Sequence, residues 1–155
     1  MSRRDLIRMT DDEVTAFLAE PHSMNIATTN HDGTVHLVAM WYAPLPGGAI
    51  GFETFAKSQK VLNLRRDPRM TALVEDGATY DQLRGVELVG TAEVIDDDHE
   101  LLMDIARSVI GRHQPDVGPA DVDAVAEMMV QKRAAVRFTP TRVVSWDHRK
   151  LGGTY

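Results

Sequence analysis

The sequence contains no cysteine, which excludes disulfides, thiolate zinc sites and cysteine nucleophiles together. A cysteine-free chain fits a cytoplasmic protein, and that location is the expectation. Long apolar runs are missing as well. None approaches the roughly 20 residues of a membrane-spanning helix, and Met1-Ser2-Arg3-Arg4-Asp5 lacks the apolar stretch of a secretory signal. There is no G-x-S-x-G elbow, no P-loop and no G-x-G-x-x-G turn. The six histidines, at 22, 31, 36, 99, 113 and 148, have no cysteine or carboxylate partner in a recognisable pattern, so no metal site is expected.

What remains is ordinary globular usage: 155 residues, 43% hydrophobic and 26% charged, enough for one core and one domain over 1–155. The net charge of −6 is unevenly laid out. Residues 71–130 carry 14 acidic against 3 basic side chains, whereas 131–155 carry 1 against 6. An acidic chain is a poor partner for nucleic acid, whose affinity comes from phosphate neutralisation. A basic patch on such a body is either a solvated face or a site for one small anion.

Thr10-Asp11-Asp12-Glu13 is a capping box that opens a first helix, stopped by Pro21. Residues 24–29 and 34–43 read as a hairpin about the turn Asn30-His31-Asp32-Gly33. With 49–55 they predict an antiparallel meander. Residues 56–67 turn helical before Pro68. Strands follow at 70–75 and 85–95, and a helical insertion occupies about 96–132. Its two helices carry the stripes Leu102, Ile105, Ala106, Val109, Ile110 and Val122, Val125, Ala126, Met129, Val130. Residues 135–138 and 143–146 are β-like. Strands in blocks, not alternating with crossover helices, exclude a doubly wound sheet. The expectation is a mainly β fold with peripheral helices, about six antiparallel strands closed as a barrel.

The most informative segment runs from Glu53 to Arg69. A strand ends near Phe55 and a helix begins at once, leaving unpaired amides at the positive end of the helix dipole. Lys57, Ser58 and Lys60 fall on that first turn. Amides, two ammonium groups and a hydroxyl converging on one point suit a phosphate. Lysine there opposes the dipole unless an anion answers it. The plainer alternative is a basic surface helix that packs Val61 and Leu64. Elsewhere, Trp41 and Tyr42 are adjacent in a strand and must face opposite ways, and Trp146 stands out in a basic tail unless something covers it.

Three groups of residues carry a resemblance: Met40-Trp41-Tyr42; Thr54-x-x-Lys57-Ser58-x-Lys60-x-x-Asn63-Leu64 with Asp67-Pro68-Arg69; and Leu83-Arg84-Gly85-Val86 with Gly90-x-Ala92-Glu93. Their order and spacing resemble the pyridoxamine 5′-phosphate oxidase-like split β-barrel superfamily over about residues 10–152. With the closing Ser145-Trp146-Asp147-His148-Arg149-Lys150-Leu151-Gly152, the chain resembles its actinobacterial deazaflavin (coenzyme F-420)-dependent reductase branch. The resemblance implies a six-stranded split β-barrel, a homodimer, and two cofactor clefts lined by both chains. Carried over, Ala39, Met40 and Trp41 would edge the ring system. Thr54, Lys57, Ser58, Gln59 and Lys60 would grip the phosphate, and Trp146 and Arg149 would come from the second chain. Pyridoxamine phosphate oxidases proper place a basic residue on the second strand; residues 38–43 here hold none, which argues against vitamin B6 oxidation. The implied activity is hydride transfer from F-420 to a small conjugated acceptor such as an enone or quinone. FMN is the alternative cofactor, and a non-catalytic flavin carrier the alternative role.

Overall fold

The computed structural model describes residues 2–152. Two short helices open the chain, α1 (Arg3–Ile7) and α2 (Asp11–Ala19), each closed at its start by a reciprocal capping box, Ser2 with Asp5 and Thr10 with Glu13. Strands β1 (Met24–Thr29), β2 (Val35–Met40), β3 (Ala43–Pro44) and β4 (Ile50–Phe55) precede α3 (Gln59–Arg66). Strands β5 (Arg69–Asp76) and β6 (Arg84–Ile95) lead to α4 (His99–His113), α5 (Val122–Met129) and β7 (Arg133–Asp147).

The strands form one antiparallel sheet in the order β2-β1-β5-β6-β7-β4-β3. Its two outermost strands are consecutive in the chain, with only Trp41 and Tyr42 between them. That link spans at most about 11 Å, so the sheet curls until β2 and β3 face each other across a split.

The sheet has seven strands against the six expected, and two boundaries move for local reasons. The run 34–43 breaks at Trp41–Tyr42, where the Tyr42 ring turns into the core and its hydroxyl donates to Leu18 O at 2.8 Å. The stretches 135–138 and 143–146 are one strand, because Pro140 lies opposite Gly90 where the β6 ladder bulges between Val89 and Gly90. A proline without an amide is tolerated at such a bulge. Gly90 is required there: a Cβ would lie 2.1 Å from Thr139 O. The meander expectation also fails, since β4 pairs with β3 and β7, on the far side of the sheet from β2.

Inside the curl, Met24, Ile26, Ile50, Phe52, Met70, Val74, Leu88, Val136 and Phe138 make one apolar cluster, plugged by Phe17 of α2 and Leu64 of α3. On the outside of β3, β4 and β7, the expected stripes of α4 and α5 pack over Ala43 and Ala135. The fold thus leaves three structured margins: the β4–α3 corner, the Trp41–Tyr42 link and the C-terminal end of β7.

Candidate functional site

At the β4–α3 corner, the Ser58 amide bonds Phe55 O at 2.9 Å, so residues 56–58 make a turn and the helix starts at Gln59. The expected start at 56 is corrected, and Lys57 precedes the helix instead of riding its first turn. Ser58 holds the N-cap position yet makes no side-chain capping bond, unlike Ser2 and Thr10. Its Oγ lies 3.4 Å from Thr54 Oγ1, which accepts a 3.0 Å bond from Lys60 Nζ. Thr54 is buried at the end of β4. Burial, and then the Arg133 charge, push the Lys60 ammonium below the usual lysine range. Gln59 is committed elsewhere: its Nε2 donates to Asn63 Oδ1, and buried Asn63 donates to Thr28 Oγ1 and Asn30 Oδ1, pinning α3 to the β1–β2 hairpin.

Sequence reasoning missed Arg133. The basic pair Lys132-Arg133 was visible in the sequence, but only the register Phe55↔Arg133 puts it at this corner. The Arg133 guanidinium lies over the Phe55 ring at 4.5 Å and donates from Nη1 to Glu53 Oε2 at 2.5 Å. Its Nε is buried without a hydrogen-bond partner. Lys132, just before it, has φ of 61°, a left-handed conformation costly for a side chain with a Cβ.

Trp41 belongs to a second group. Its indole stacks on the His113 imidazole, centroids 4.8 Å apart and planes within 5°. Arg112, next along α4, donates to Tyr42 O at 2.5 Å, to Leu18 O at 3.0 Å and to Glu20 O, with its guanidinium over the Tyr42 ring. The last turn of α4 therefore clamps the Trp41–Tyr42 link. Burial, reinforced by Arg112 and His22, holds His113 below the usual histidine range. Ala39 faces outward on β2, while Met40 packs part-buried against the core.

Trp146 and Arg149 form a third group. The Trp146 indole covers Gly85, where a Cβ would meet Cζ2 at 2.2 Å, so the covering that Trp146 needed comes from its own chain. Arg149 donates from Nε and Nη2 to buried Asp147 at 2.9 and 2.6 Å, which keeps that carboxyl below the usual range. Glu20, His22 and Asp76 bring three possible ligand atoms within 4.8 Å of one another, a convergence the histidine spacing did not foretell. Arg84 supplies the positive charge there, bonding both Glu20 oxygens at 2.8 Å and Asp76 at 2.7 Å.

Thr54, Ser58 and Lys60 therefore share one corner, with Lys57 at its edge and Gln59 turned to Asn63. Eleven residues of β7 lie between Ala134, the Thr54 partner, and Trp146. A straight strand of that reach is about 40 Å, which is the upper limit for this bulged and curled one. A groove of about 530 Å³ opens beside Thr28 on the sheet, lined also by Ala27, Val35, Arg69, Thr71 and Val89.

A curled antiparallel sheet with a basic strand-to-helix corner defines a class, and the sequence agrees: a profile of the pyridoxamine 5′-phosphate oxidase family matches residues 10–147, and the chain belongs to that family. Among solved structures it is similar to a conserved hypothetical protein, Rv2991, from Mycobacterium tuberculosis. The two share 42% identity over 100% of this chain and 95% of that one, with a TM-score of 0.89. It shares its fold with an F420 reductase (24% identity, 83% and 93% coverage, TM-score 0.62). A FAD-binding protein from Mesorhizobium loti has the fold too (21% identity, 88% and 94% coverage, TM-score 0.64).

Proposed function

We propose that the protein is an oxidoreductase that binds coenzyme F-420 and passes hydride to a small conjugated acceptor, an enone or quinone-like compound. The observation that carries this reading is the helix start at Ser58. A serine at the N-cap normally satisfies its own helix; here the hydroxyl and first amides of α3 are left beside the Thr54 hydroxyl and the Lys60 ammonium. That donor set fits a phosphate, and family membership and the fold shared with an F420 reductase support the choice of coenzyme.

In this reading Thr54, Lys57, Ser58 and Lys60 hold the phosphate, with Gln59 shaping the turn through Asn63. Ala39, Met40 and Trp41 edge the ring. When bound, a reduced deazaflavin supplies a hydride, so the chain's own work is binding, orientation and exclusion of water. Tyr42 is no proton source, because its buried hydroxyl donates to Leu18 O and burial raises its pKa. The length of β7 between Ala134 and Trp146 supports placing Trp146 and Arg149 in the cleft of a second copy. The outward side chains Val35 and Leu37 of β2, both about two-thirds exposed, are the apolar surface such a homodimer would bury.

Reduced F-420, mixed with the protein and a panel of enones and quinones, tests the reading. Absorbance of the oxidised coenzyme should return only with protein and acceptor both present. Tight binding without turnover selects a carrier instead, and binding of FMN in place of F-420 selects a flavin oxidoreductase.

A further inference from the structure

Directly behind the phosphate corner sits a charge that the proposed role does not use. Glu53 is 6% exposed, in the middle of the β4–β7 ladder, and its carboxylate is held by Arg133 Nη1 at 2.5 Å. Arg133 is the same side chain whose Nε is buried and unpartnered. A guanidinium matches an oxyanion best through two parallel N–H donors; here only one donation to the carboxylate is formed. The pair is therefore incomplete where an incoming anion would seek two donors. Glu53 also opposes an anion at the corner, since its carboxylate already interacts with the Lys60 ammonium and like charges disfavour each other.

We propose that Glu53 is a proton-linked competitor for the anion corner: its carboxylate holds Arg133 in the empty site, and it takes one proton from solvent as Arg133 turns to the bound phosphate or other oxyanion. The step forms one O–H bond on the Glu53 carboxyl and breaks one in hydronium or buffer acid, with no change of oxidation state. The direction of the carboxyl's pKa agrees. Burial raises it above the usual glutamate range even though Arg133 and Lys60 both lower it, and an added anion pushes the same way. The charged groups facing this pair are Lys60 from α3, with Lys57 and Lys132 on the neighbouring turns. The cleft that Arg133 lines adds Asp96, Asp97 and His99 before and within α4, and Glu127 of α5. The His99 ring is exposed and lies 3.3 Å from Glu127.

The proposal rests on the anion corner of the function above, and its test separates the two. Sulfate, whose charge is constant between pH 5.5 and 8, is titrated into the intact protein by calorimetry in two buffers of different ionisation heat. Wild type should take up a proton on binding, and its Kd should rise up to tenfold per pH unit above the Glu53 pKa. Glu53→Gln should bind sulfate at least tenfold tighter than wild type at pH 8, with no proton uptake, whereas His99→Gln should keep the wild-type profile. Proton uptake in wild type needs no variant to fold. Sulfate affinity flat with pH in wild type, or a Glu53→Gln Kd equal to wild type, overturns the proposal. F-420 and FMN are then titrated in parallel. If sulfate shows the linkage and neither coenzyme binds, the linkage stands and the redox reading falls; if a coenzyme binds without proton uptake, the reverse holds.

Discussion

The two lysines of the β4–α3 corner have different standing. Lys60 is fixed by its bond to Thr54 Oγ1, so little side-chain entropy is left to lose on binding an anion. Lys57 precedes the N-cap on a turn and has more to lose. Lys60→Ala should weaken binding of a phosphate-bearing coenzyme by roughly 1–3 kcal/mol, the scale of a charge-assisted contact, and Lys57→Ala by less, as read from fluorescence titrations of both variants. His113 makes a separate prediction about stability. Its folded pKa is depressed, so the unfolded chain binds the extra proton first. Stability should therefore fall as pH drops through the unfolded histidine value, near 6.5. Urea midpoints at pH 7.5 and 5.5 should differ less in His113→Gln than in wild type; an unchanged difference would show that His113 does not titrate this way. The legible part of the corner was its chemistry, Thr54, Lys57, Ser58 and Lys60, because residue types at fixed spacing are written in the chain. Arg133 was not legible, since a partner 80 residues from Glu53 is delivered only by strand register.

Among the elements, the last turn of α4 and the β6–β7 bulge do most to shape the candidate site. Arg112 satisfies the carbonyls of Leu18, Glu20 and Tyr42 together. Arg112→Met would take from the buried Tyr42 carbonyl its Arg112 donor, at about 1–3 kcal/mol, while Leu18 O keeps the Tyr42 hydroxyl and Glu20 O the His22 amide. Chemical denaturation should show at least the lower figure, together with altered Trp41 fluorescence as its stack on His113 loosens. Gly90→Ala forces a Cβ against Thr139 O and should cost about 1–3 kcal/mol or more by the same measurement. The helices α2, α4 and α5 were readable because capping boxes and 3.6-residue stripes are local signals. The unity of β7 was not, because Pro140 reads as a strand breaker until Gly90 opposite it supplies the bulge. The break at Trp41–Tyr42 was hidden for a similar reason. A run of β-formers carries no mark of the point where a buried Tyr42 and an Arg112 clamp turn the chain.

For the molecule as a whole, the sheet curls because β2 and β3 are tethered by two residues, and that curl sets the candidate groups on separate margins of one chain. A second copy is what would reunite Trp146 and Arg149 with the Thr54–Lys60 corner. Light scattering should report about twice the 17.2 kDa chain mass. Leu37→Glu, placed on the exposed face of β2, should shift the mass toward the monomer while leaving the circular dichroism unchanged. A wild-type monomer would remove the shared cleft. The strand content, the helical insertion and the basic corner could all be read along the chain; the curl could not, since it depends on which strands become neighbours.

The most direct measurement is a titration of intrinsic fluorescence with oxidised F-420, and separately with FMN, on wild type and Lys60→Ala. Saturable quenching by F-420 at least about fivefold weaker in the variant, with FMN weaker than F-420 on wild type, is the predicted result. Equal affinity of the two proteins for F-420, or no binding of either coenzyme to wild type, contradicts it.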